Sequence, residues 1–128
     1  MHAALEEAEL ARNRDEVPIG AVLVDARNGE IVARAGNRTI EQHDPSAHAE
    51  ILVIRAMCEK IGAQRIPDYH LYVTLEPCTM CAGAIAFARI PRLIIGATDE
   101  KGGGVLHGVK FFDQPTCCLL YTSDAADE

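Results

Sequence analysis

Apolar residues recur at helical spacing at the start of the chain. Leu5, Ala8 and Ala11, with Ala4 beside them, share one face over roughly residues 3 to 14. The pattern then shortens. VPIGAVLVD reads as a buried strand, and GEIVARAGN as its hairpin partner across the Arg27-Asn28-Gly29 turn. Helical spacing resumes in HDPSAHAEILVIRAMCEKIGA, where Asp44 is placed as N-cap, Pro45 at the first helical position and Gly62 at the stop. YHLYVTL reads as a third strand, CTMCAGAIAFARI as a third helix opened by Pro77, and RLIIGA as a fourth strand. The fourth is apolar enough to be buried on both faces. KGGGVLHG and FFDQPTC are irregular, and neither a repeat nor a linker interrupts the order. A helix, a hairpin and then alternating helix and strand predict an α/β domain with helices layered on a mixed sheet.

Composition narrows the class. A chain of 128 residues makes one domain with a real core. Its 48% hydrophobic and 24% charged content are ordinary for a soluble protein. No apolar run approaches the ~18 residues of a membrane span. The acidic, amphipathic start carries no signal-peptide pattern, so the expected location is cytoplasmic. Net charge of −7 disfavours a nucleic-acid partner, yet Asp124, Asp127 and Glu128 fall in a tail, residues 118–128, without Lys or Arg. A local basic face is therefore compatible with the total. Five cysteines and no secretion pattern argue against a disulfide framework.

That leaves metal or thiol chemistry for Cys78 and Cys81, in EPCTMCAGAI. A redox CxxC follows the first strand of a βαβ unit, whereas this pair is late in the chain. A structural zinc site needs a second close pair. Cys58 is alone, and Cys117 and Cys118 are adjacent. HAE, residues 48–50, supplies a third ligand, and His with two Cys is the count for a catalytic zinc with an open position. Cys78 and Cys81 are neighbours on one helical turn. His48 and Glu50 converge only if their helix points its N-terminus at the site, so both helices should aim their positive ends at the metal. Cys58 lies about 15 Å along the helix from His48, out of reach.

HAE followed by PCTMC resembles the H-x-E…P-C-x-x-C pattern of zinc nucleobase deaminases. More specifically, EVPIGAVLV, GNRTIEQHDPSAHAEI, LYVTLEPCTMCAGAI, RIPRLIIGATDEKGG and FFDQPTC resemble, in order, blocks of the bacterial tRNA-specific adenosine deaminases. The resemblance covers nearly all of residues 4–117. It implies a three-layer α/β/α cytidine-deaminase-like fold and conversion of the wobble adenosine to inosine. One Zn2+ per chain would sit on His48, Cys78 and Cys81, with Glu50 as proton shuttle. The partners implied are the tRNA anticodon arm and a second copy of the chain. Asn37 is implied to hydrogen-bond the base, Asp99 to contact the ribose of the target nucleotide, and Pro77 to lie at the substrate. Phe111 and Phe112 could stack a base, although packing is the commoner role for such a pair.

The chain also departs from that family. Its members continue past the QPTC point with a further strand and C-terminal helices, expected to be missing here. RLIIGA would then be an unpaired apolar edge, and turnover by the chain as it stands is expected to be weak or absent. CLLYTSDAADE resembles translated read-through of a transposon-type sequencing adapter. Residues 1–117 are thus expected to be the deaminase domain and 118–128 non-native. Two alternatives stand beside the main reading. One is a free-base guanine or cytosine deaminase, and the other a non-catalytic zinc-stabilised RNA-binding subunit, disfavoured because Glu50 is present.

Overall fold

The computed structural model describes residues 1–115, Cys117 and 122–125. α1 spans His2–Asn13, followed by β1 (Gly20–Asp25), β2 (Ile31–Gly36), α2 (Ala49–Ile61), β3 (Tyr69–Leu75), α3 (Thr79–Phe87), β4 (Arg92–Ala97) and β5 (Thr122–Ala125). A single 3-10 turn covers Phe111–Asp113. The strands form one sheet in the order β2-β1-β3-β4-β5. β1 is antiparallel to β2 and β3, whereas β3, β4 and β5 run parallel. No helix among the described residues is long and apolar enough to cross a membrane.

Alternation along the strands sorts the side chains. Ala21, Leu23, Leu71, Val73, Leu93 and Ile95 join Val53 and Met57 of α2 and Ala82 and Ile85 of α3 in the main core. Each large member contributes about 1.5–3 kcal/mol by leaving water. α1 lies on the opposite face. A Cβ on Gly36 would sit 2.6 Å from the Glu7 carbonyl oxygen, and one on Gly20 would collide with that of Ala4. Those two glycines let the helix backbone rest on the hairpin. Helices therefore cover both faces of a mixed sheet, as the sequence pattern anticipates.

Two details differ from expectation. α2 starts at Ala49 rather than after Asp44. Asp44 and Pro45 instead belong to a local turn before the helix, in which Asp44 accepts the Ser46 N–H at 2.9 Å and its hydroxyl at 2.7 Å. A side chain committed to its own turn is not available to cap a helix. β4 is not an open edge either, since it pairs with β5, Arg92 opposite Thr122 and Ile95 opposite Ala125. An apolar edge with unpaired backbone groups is a template for another extended segment. Residues 118–121 and 126–128 of the tail expected to be non-native lie outside the described residues.

Candidate metal centre

His48 and Cys78 occupy equivalent places in two helices. His48 is the N-cap of α2, with φ −75 and ψ 153, and Cys78 the N-cap of α3, with φ −73 and ψ 174. Extended backbone at an N-cap turns the side chain forward, off the helix end. His48 Nδ1 lies 3.4 Å from Cys81 Sγ and 3.7 Å from Cys78 Sγ. All three donor atoms lie within 4.8 Å of one another. Zn–S bonds of about 2.3 Å and Zn–N bonds of about 2.0 Å put tetrahedral neighbours about 3.6 Å apart. The residues present fit zinc, in donor type and in spacing.

The carboxylate of the HAE motif completes the site. Glu50 is 3% exposed, in the first turn of α2. Burial pushes its carboxyl up to about 7, against the pull of a backbone N–H and of His48. Its Oε1 has no hydrogen-bond partner among the described residues. A buried, unpartnered carboxylate oxygen is costly unless something binds there. The two thiols are shifted in opposite directions. Cys78 is pulled down to about 5, first by the hydrogen bond from Cys81, with backbone N–H groups of Cys81 and Met80 assisting. Cys81, fully buried, is pushed up by the same bond, then by burial and by Glu50. Two helix N-termini converging on this point favour thiolate and supply donors for an anion.

Residues 1–97 match the family described as the cytidine and deoxycytidylate deaminase zinc-binding region. A tRNA-specific adenosine deaminase of Agrobacterium fabrum (strain C58) is 63% identical over 117 residues, covering 91% of this chain and 76% of that protein. The chain belongs to the zinc-binding deaminases, in the tRNA-specific adenosine deaminase family. This deaminase also overlays a structure from work on A-to-I editing by tRNA:A34 deaminases at the wobble position of transfer RNA. The TM-score is 0.93 at 59% identity, covering 98% of this chain and 95% of that one. A guanine deaminase from Bacillus subtilis follows at TM-score 0.71 and 38% identity, covering 76% and 61%.

The remaining candidates of this deaminase gather unevenly around the centre. Asn37 is buried, and its Oδ1 accepts the Ala49 N–H at 2.8 Å, satisfying the first turn of α2 directly beside His48. Arg14 donates to the Asn37 carbonyl at 3.1 Å. Pro77 is fully buried and its carbonyl accepts the Gly104 N–H at 2.8 Å. Asp99 is half-buried, and its Oδ1 accepts the N–H groups of Lys101 and Gly102 at 3.1 and 3.0 Å. Phe111 and Phe112 pack on the core, edge to face at 5.7 Å. Cys58 also packs there, apart from the donor cluster.

Two buried carboxylates escape a reading of the sequence. Glu16 accepts the N–H groups of Ile40 and Glu41 at 3.1 and 2.8 Å, fastening the loop between β2 and α2. Glu76 fastens the loop after β4. Glu16 opens EVPIGAVLV and Glu76 opens EPCTMCAGAI, but nothing in either stretch marks the carboxylate as buried. A groove of about 540 Å3 lined by Met1, Val22, Arg34 and Tyr72 does not include the donor cluster.

Proposed function

We propose that this deaminase hydrolyses adenosine to inosine at the wobble position of a tRNA anticodon. One observation carries the reading: the unpartnered, buried oxygen of Glu50 beside the His48, Cys78 and Cys81 donors. Zinc held by those three side chains would supply a Lewis acid that makes water nucleophilic near neutral pH. Glu50 takes the proton that water releases as its oxygen adds to C6 of adenine, and hands it to ring N1. The remaining hydroxyl proton passes by way of Glu50 to the amino group, the C6–N bond breaks, and ammonia departs to leave the C6 carbonyl of inosine. The base must be splayed out of the anticodon loop to reach this depth.

The other residues bind and orient. Asn37, its oxygen engaged by α2, offers its NH2 to the base. Asp99, with Oδ1 held by its own loop, offers Oδ2 to the ribose. Pro77 belongs to the floor of the site. The exposed side of α3, with Met80 42% and Phe87 74% accessible, suits an interface with a second copy, across which an anticodon arm would lie. The reaction takes place in the cytoplasm.

A substrate panel tests the reading. Zinc-loaded chain in excess is mixed with anticodon stem-loop RNA, with guanine and with cytosine. Inosine in the RNA, with the free bases untouched, is expected. Xanthine from guanine with unchanged RNA would reassign the site to a free-base deaminase.

A further inference from the structure

Glu76 directly follows β3 and is 3% exposed, and its carboxylate is given over to one loop. Oε1 accepts the Asp99 N–H at 3.0 Å and faces His107 Nδ1 at 2.9 Å. Oε2 accepts the N–H groups of Val105, Leu106 and His107 at 3.2, 2.8 and 2.9 Å. A buried charge is tolerated only when donors surround it in this way.

The same loop lies against the turn that delivers Cys78. Gly104 donates to the Pro77 carbonyl at 2.8 Å, and Phe111 donates to the Gly104 carbonyl at 2.7 Å. Contact is too close for side chains. A Cβ on Gly104 would stand 2.6 Å from the Thr79 nitrogen, and one on Gly103 would collide with Glu76 Oε2. The segment from Asp99 to His107 is thus wrapped around one carboxylate and pressed onto the first turn of α3.

We propose that Glu76 is a positioning residue, fixing the 99–107 loop as a wall of the substrate cleft beside the donor cluster. The proposal rests on the deaminase reading given above. Glu76 touches neither metal ligand side chains nor substrate; it acts through the loop. Replacing one oxygen by an amide NH2 sets donor against donor, so the loop should loosen while His48, Cys78, Cys81 and Glu50 keep their places.

The test compares zinc-loaded wild type, Glu76→Gln and Gly103→Ala, the second variant disturbing the same contact from the loop side with Glu76 intact. Hydrogen exchange is read at the amides of Asp99, Val105, Leu106 and His107, alongside zinc content and stem-loop kinetics. Both variants are expected to exchange about tenfold faster there. Zinc should stay at one per chain, with KM for the RNA raised about tenfold and kcat within about threefold. Unchanged exchange in both variants would overturn the proposal. So would zinc loss with kcat falling as far as kcat/KM, since Glu76 would then serve the metal turn. If Glu76→Gln does not fold, Gly103→Ala decides alone. Conversion of guanine in place of the RNA would overturn the substrate reading alone, and exchange and zinc content still decide whether Glu76 holds the loop.

Discussion

Asn37 Oδ1 and the Ala49 N–H are joined by a buried hydrogen bond of 2.8 Å. The bond closes the first turn of α2 from a different segment of the chain, and His48, next to Ala49, is set in place by it. The Asn37 oxygen orders the helix end that carries His48, and under the proposed function its NH2 is offered to the base.

The two roles separate by substitution. Asn37→Asp keeps an acceptor and adds a negative charge at a positive helix end, so urea unfolding should move by less than about 0.5 kcal/mol. Its kcat/KM on stem-loop RNA should still fall about tenfold or more, since the donor is gone. Asn37→Ala should lose both, at about 1 kcal/mol of stability. Equal activity in Asn37→Asp and wild type would confine Asn37 to capping.

Removing a sulfur donor should remove the metal. Cys81 is fully buried, and a helix end built around it has no substitute ligand among the described residues. Cys81→Ala should bind no zinc by native mass spectrometry, and its Tm should not respond to chelator. Wild-type Tm should fall on chelation and recover with added zinc, because binding only the folded state stabilises it. A wild-type Tm indifferent to chelator would contradict the fit of the site.

Acid stability offers a check far from the chemistry. Asp25 accepts the Arg27 backbone N–H at 2.9 Å and its Nε and Nη2 at 3.0 Å each. These bonds, the guanidinium's first, hold its carboxyl below the usual range. A depressed carboxyl contributes stability above its unfolded pKa of about 3.9 and loses it as pH falls through the folded value. The Tm gap between wild type and Asp25→Asn should be steady at neutral pH and close below about pH 4. A gap that persists in stronger acid would mean that the loop is not held by the ionised carboxylate.

Much of this was legible in the residues themselves. β3 matches YHLYVTL because its buried and half-buried positions alternate at its start, and β4 matches RLIIGA because an unbroken apolar run suits a strand. The donor cluster was legible too, since a histidine and a spaced cysteine pair admit few other arrangements. The start of α2 was not. Local chemistry names Asp44, while the actual cap arrives from Asn37 through the hairpin. Glu76 was equally hidden. Its donors lie 23 to 31 residues onward, so only the folded chain distinguishes it from a surface carboxylate.

Glu50 tests the central claim most directly. Zinc-loaded wild type and Glu50→Ala are each held in excess over stem-loop RNA, and inosine at the wobble position is followed in single turnover. Wild type is predicted to form inosine, and Glu50→Ala to be slower by about 100-fold or more with zinc retained at one per chain. Equal rates in the two proteins would contradict the account, because the proton would then have travelled by another group.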